Sequence, residues 1–210
     1  MEKGGVYHSM KILIPTTAIP SHLNPLLGLS TILVTQGHEV LVQTGNTFKP
    51  MVEAAGIPFI LLLPETDVEV GQFYAKHPEL HEKSRLSRLD SLLRIIFCPK
   101  LPYEEARLKM ALHDFPADVI LTESMFYGTL PLLLGRRHNH PTIVHAGITV
   151  LDIFRGKTMP PVTEASSGRV RKEHGELERV MRRPLQAAFD KTLAKPGCGP
   201  LPRPRTFWFW

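Results

Sequence analysis

Long hydrophobic runs are missing from this 210-residue chain: the longest, Ile57 to Pro64, has the length of a buried strand. It falls far short of the roughly 20 apolar residues that cross a bilayer as a helix, so stable membrane insertion is not expected. Cysteine is scarce as well. Cys98 and Cys198 lie far apart, and the leader of residues 1–9, Met1 to Ser9, has no apolar stretch of the kind a secretory signal needs. Free thiols in a reducing cytoplasm are therefore expected rather than a disulfide framework. Met10 is a second candidate start.

Signature motifs are absent too. No Gly-x-Gly-x-x-Gly follows the first apolar run, and Thr44-Gly-Asn46 stands where a dinucleotide site would carry an acidic residue. There is no Walker sequence, no paired Cys-x-x-Cys and no His-Glu-x-x-His. A nucleotide-binding Rossmann enzyme of another reaction type is thus the weakest reading, and no cofactor is expected. His138, His140 and His145 invite a metal reading, but His145 ends a strand pattern while the other two fall in a loop, so no metal is expected. The net charge of +5 comes from the far end, where residues 165–210 hold ten lysines and arginines against four acids. The basic residues are interleaved with glutamate and match no nucleic-acid motif, which favours a solvated helix over a nucleic-acid surface.

What is present is the composition of a globular domain, 43% hydrophobic and 21% charged. Lys11–Pro15 reads as a strand. Pro25 opens a helix with an apolar stripe of Leu26, Leu29, Leu33 and Val34, Asn24 as its N-cap and Gly37 as its stop. Glu39–Thr44 reads as a strand, Lys49–Ala55 as a short helix, and Ile57–Leu63 as a third strand. Near-continuous apolar strands separated by amphipathic helices call for a parallel sheet covered on both faces. The fold class expected is α/β, a Rossmann-like, doubly wound, mostly parallel sheet.

Residues 65–102 read as a mostly helical excursion, after which the alternation resumes: a helix over Tyr103–His113, a strand over Asp118–Thr122, a helix over Leu130–Leu134 and a strand over Pro141–His145. Residues 10–163 thus form the main domain. Residues 164–195 read as a charged helical segment of the same domain, with Val170, Leu177, Val180, Met181, Leu185 and Phe189 as its buried stripe. Residues 196–210 are a Pro/Gly-rich tail ending in exposed aromatics, Phe207 to Trp210.

In open α/β sheets, ligands bind beyond the carboxyl ends of the strands, which directs attention to Thr16–Asn24, Glu123–Gly128 and His145–Asp152. The first segment holds His22, whose imidazole could take a proton from an alcohol near neutral pH; the plain alternative is a histidine exposed on a loop. Glu123 ends a strand expected to neighbour the first, so its carboxylate could orient that imidazole. Its plain alternative is a solvated carboxylate.

The same residues resemble a known family. The run Met10-Lys-Ile-Leu-Ile-Pro, then Ser21-His22-Leu-Asn24-Pro-Leu-Leu, then Gly37-His-Glu-Val-Leu-Val resembles the opening of UDP-glycosyltransferase-type enzymes of the GT-B fold. In that family a Gly-His-x-x-Pro loop precedes the first helix. Glu53-Ala-Ala-Gly-Ile-Pro-Phe59, Phe115-Pro-Ala-Asp-Val-Ile-Leu-Thr-Glu123-Ser-Met-Phe-Tyr-Gly128, Leu130-Pro-Leu-Leu-Leu-Gly135 and Gly197-Cys-Gly-Pro-Leu-Pro202 are similar to further blocks of its bacterial macrolide and rhamnosyl branch.

The resemblance implies an N-terminal domain that binds a lipophilic acceptor, with His22 as the base and Glu123 as its orienter. It implies inverting transfer of a hexosyl group from a nucleotide-diphosphate sugar, without metal. Ser21 stands where the family has glycine, and Glu123 where aspartate is commoner, one methylene longer. Ser21, Asn24, Phe73 and Phe97 of the excursion, and Met125, Phe126 and Tyr127 are the candidate acceptor-binding residues. After Pro202 no counterpart of the donor-binding domain follows. A truncated enzyme that binds acceptor without turning over is therefore expected, the alternative being an accessory subunit of a split enzyme with a C-terminal-domain partner chain.

Overall fold

The computed structural model describes residues 8–68, 70–83, 85–135, 140–148, 183–194 and 198. Five parallel strands form one sheet in the order β3-β2-β1-β4-β5: β1 (Lys11–Pro15), β2 (Glu39–Thr44), β3 (Phe59–Leu61), β4 (Val119–Glu123) and β5 (Thr142–Ala146). The chain runs outward from β1 to β3 and then crosses back to add β4 on the other side of β1. The order of the strands therefore reverses between β1 and β4, where an open sheet leaves a crevice at its carboxyl edge. The doubly wound α/β expectation holds among the described residues, although β3 is shorter than the apolar run Ile57–Leu63 that announced it.

Seven α-helices complete the described part: α1 (Pro20–Thr35), α2 (Lys49–Ala54), α3 (Val70–Lys76), α4 (Arg85–Leu92), α5 (Cys98–Asp114), α6 (Leu130–Leu134) and α7 (Arg183–Leu193). A π-helical turn, Leu93–Phe97, joins α4 to α5 without a break. Helix α1 begins five residues before the expected start. Pro20 suits the first helical position as well as Pro25 does, because the amide hydrogen that proline lacks has no partner there in any case. Pro25 then lies inside the helix, Asn24 is not its cap, and the buried residues are Leu23, Leu26 and Ser30, while Leu29 and Val34 are exposed. Helix α5 similarly extends back to Cys98, absorbing Pro99 and Pro102 within its first turns.

Both β-α-β crossovers on the β2 side turn on glycine. After α1, Gly37 has φ +87° and accepts the chain reversal with bonds from its own N–H to the Val34 carbonyl (3.0 Å) and from His38 N–H to Leu33 (3.1 Å). Gly56, at φ +70°, ends α2 in the same way, with Ile57 N–H reaching the Val52 carbonyl. This is a Schellman ending, and Ile57 folds back onto the core with Val52.

Two cores result. The main one lies between the sheet and its helices and includes Leu13, Ile14, Leu23, Leu26, Val42, Leu108, Ile120 and Phe126. The second is built from the excursion, the turn after β4 and α7, and holds Phe73, Leu93, Phe97, Leu101, Tyr127, Phe189 and Leu193. Phe189 of the expected stripe is fully buried there; Val170, Leu177, Val180 and Met181, together with the tail from 199 onward, lie outside the described residues.

Candidate active site

The crevice between β1 and β4 brings two sequence-distant residues together. His22 sits in the first turn of α1, where its backbone N–H bonds the Ile19 carbonyl at 3.0 Å, and Glu123 is the last residue of β4. The imidazole Nδ1 lies 2.8 Å from Glu123 Oε2, with the carboxylate fully buried and the ring 14% exposed. His22 is thus neither a free loop histidine nor, as the loop reading had it, positioned ahead of the helix.

Glu123 is heavily engaged. Its Oε1 accepts the Thr17 N–H at 3.1 Å and the Thr17 hydroxyl at 2.9 Å, while Oε2 accepts the Met125 N–H at 2.6 Å in addition to the imidazole. A carboxylate surrounded by three other donors has only acceptor capacity to offer, so Nδ1 is the ring's donor and, in the neutral imidazole, Nε2 is the acceptor. An imidazole held in that tautomer can receive a proton at Nε2. Neither Thr17 nor the Met125 amide was singled out from sequence. Thr17 could have been, since it lies in the loop after β1; the Met125 contact is made by backbone and leaves no signature in residue type.

The surroundings are tied down. Thr122 Oγ1 donates to the Pro15 carbonyl at 2.8 Å, joining the carboxyl ends of β4 and β1. On β5, paired with Thr122, His145 has both ring nitrogens buried without a partner among the described residues. Burial pushes its imidazole down and outweighs the opposing pull of Glu123. The remainder of the third candidate segment, 149–152, lies outside the described residues, as does His138.

The structure divides the other candidate residues. Ser21 and Asn24 are exposed on α1. Phe73 and Phe97 are buried in the second core, where the Phe97 and Phe189 rings meet Tyr127 edge-on, centroids 6.2 and 4.6 Å away, and half-buried Met125 packs against that core. Phe126 turns the opposite way and belongs to the main core. Burial pushes the Tyr127 hydroxyl up, reinforced by neighbouring negative charge, so it stays protonated.

Two residues not anticipated lie behind this site. Lys100 and Glu104, one turn apart on α5, are 4% and 2% exposed. The Glu104 carboxylate accepts the N–H groups of Tyr127 and Gly128 at 2.9 and 3.0 Å. Burial raises the Glu104 carboxyl well above the usual range and lowers the Lys100 ammonium, each partly countered by the other's charge.

A five-stranded parallel sheet of this order, flanked by helices, defines a Rossmann-like domain. Solved structures agree on the fold. A calicheamicin glycosyltransferase matches 91% of this chain with a TM-score of 0.58 at 19% identity, over 43% of its own length, and the kitacinnamycin glycosyltransferase matches 91% with a TM-score of 0.55 at 16% identity, over 42% of its length. In fold the chain matches the N-terminal half of GT-B enzymes, and in sequence it is similar to UDP-glycosyltransferase-type enzymes.

In sequence it is 24% identical over 202 residues to UDP-glycosyltransferase 2 of Phaeomoniella chlamydospora, covering 91% of this chain and 44% of that protein. It is 28% identical over 118 residues to 4'-demethylrebeccamycin synthase of Lentzea aerocolonigenes, and 31% identical over 132 residues to UDP-glucosyltransferase B1 of Starmerella bombicola. The chain spans less than half the length of these curated relatives. No profile of a known protein family matches it.

Proposed function

We propose that this domain binds the acceptor in a glycosyl transfer and that His22 is the general base. A hydroxyl of a lipophilic small molecule is held against Nε2, and the ring accepts its proton as the oxygen attacks the anomeric carbon of a nucleotide-diphosphate sugar. The new glycosidic bond forms with inversion as the bond to the nucleotide diphosphate breaks. Glu123 fixes the tautomer and balances the charge that the ring acquires. The observation that carries this reading is the 2.8 Å contact between His22 Nδ1 and a Glu123 carboxylate already saturated with donors.

No step in this reading needs a metal, because the proton has a base to go to and the nucleotide diphosphate is a competent leaving group. The sugar nucleotide is bound by a second Rossmann-like domain, in the same polypeptide or a partner chain. The acceptor site lies beside Met125, Tyr127 and the exposed face of α1 at Ser21 and Asn24, with Phe73 and Phe97 forming the wall behind Tyr127. In glycoside formation from a nucleotide sugar and a lipophilic alcohol, with the donor domain supplied, His22→Ala lowers kcat by about 10²–10⁴-fold. An unchanged rate rules His22 out as the base.

A further inference from the structure

The buried carboxylate of Glu104 has no part in the proton transfer just described, yet it grips the turn on which the dyad depends. Its Oε2 accepts the two successive amides of Tyr127 and Gly128, at 2.9 and 3.0 Å. These lie in the 3-10 turn Tyr127–Thr129, directly after the Glu123–Met125 segment whose Met125 amide bonds Glu123 Oε2 at 2.6 Å.

The approach of helix to turn is close enough to require glycine at 128. A Cβ there would stand 2.7 Å from the Cβ of Glu104 and 2.8 Å from its carbonyl carbon. Lys100, 4% exposed, lies one turn before Glu104 on the same helix, and burial lowers its ammonium against the opposing charges of Glu104, Asp67 and Glu123. Each of those three carboxylates accepts backbone amides of a loop at the carboxyl edge of the sheet: Asp67 that of Asn46 at 2.9 Å, Glu104 those of Tyr127 and Gly128, and Glu123 those of Thr17 and Met125.

We infer that Glu104 is a positioning residue for the His22–Glu123 pair: by holding the amides of Tyr127 and Gly128 it fixes the turn after β4, which sets the Met125 amide and thereby the oxygen of Glu123 that orients His22. Lys100, buried one turn before Glu104 on the same helix, closes this interior from the α5 side. A general base must be kept within hydrogen-bond geometry, and a displacement of the order of 1 Å transmitted through such a turn is enough to lose it.

The inference rests on His22 being the oriented base, but its test needs no turnover or acceptor. Failure of alcohol binding would therefore count against the proposed function and leave this point standing.

The experiment is long-range 1H–15N NMR of the His22 ring in the 210-residue chain, comparing wild type with Glu104→Gln and Glu104→Asp. Glutamine keeps the reach and an acceptor oxygen, whereas aspartate keeps the acid and loses a methylene of reach. The expected result is a single Nδ1–H tautomer with well-separated nitrogen shifts in wild type and E104Q, and convergence of the two shifts toward tautomer averaging in E104D. A locked tautomer in E104D, or averaging in E104Q, overturns the inference. Should neither variant fold, hydrogen exchange on the wild type decides: slow exchange of the Tyr127 and Gly128 amides is expected, and exchange at the rate of open loop amides refutes the contact.

Discussion

Glu123 shows how much one side chain can be asked to do. With both oxygens accepting, and all of it out of water, any replacement that presents a donor leaves buried N–H groups facing each other. Glu123→Gln puts an NH2 against either the Thr17 amide or the His22 ring, and leaving a buried donor unsatisfied costs about 1–3 kcal/mol. Thermal denaturation should show a lower Tm, by about 2–4 °C per kcal/mol for a chain of this size. An unchanged Tm would mean that the carboxylate is not bound as described.

At the scale of elements, the ends of helices and the seam between α5 and the turn after β4 determine how the site is presented. Gly37 ends α1 at φ +87°, a conformation that costs an L residue about 1–2 kcal/mol. Gly37→Ala should lower stability by about that amount, measured by urea denaturation, without moving His22, which lies at the opposite end of the helix.

The α5 seam adds a pH dependence. Burial raises the Glu104 carboxyl from its ordinary 4.5 to about 8. A folded-state value above the unfolded one means that the group's contribution to stability is complete below about 4.5 and is lost as pH rises through about 8. Wild type should therefore lose stability across that window relative to Glu104→Gln, in which nothing titrates at that position. Denaturation midpoints between pH 5 and 9 measure the difference, and parallel curves for the two proteins would contradict it.

Much of the element order was legible in sequence because apolar strands and glycine stops follow local rules: Lys11–Pro15, Glu39–Thr44 and Asp118–Thr122 sit close to β1, β2 and β4. The start of α1 was not, since Pro20 and Pro25 both fit a first helical position and local chemistry does not choose between them. Adjacent residues such as Phe126 and Tyr127 were not separable either, because only the tertiary turn sends one to the main core and the other to the second. Lys100 and Glu104 escaped notice for a physical reason: a lysine and a glutamate four apart on a helix ordinarily form a solvated pair, and nothing local marks this one as buried.

For the whole molecule, the decisive feature is the reversal of strand order, which puts the loop after β1 beside the end of β4 and so joins residues 101 positions apart. His22 and Glu123 could be matched from sequence because strand adjacency follows from topology: Glu123 ends β4, and His22 follows the loop that leaves β1. The second core, assembled from the excursion, the turn after β4 and α7, then supports Met125 and Tyr127 from behind. No helix among the described residues is long and apolar enough to cross a membrane. The central claim is that this domain presents an acceptor hydroxyl to His22 Nε2. Titrating the 210-residue chain with a lipophilic alcohol while following the His22 ring nitrogens by NMR tests it directly. Saturable perturbation of Nε2, with Nδ1 still protonated and the Met125 amide shifting in step, is the predicted result; saturable binding that leaves the His22 ring unmoved, or no binding at all, would contradict it.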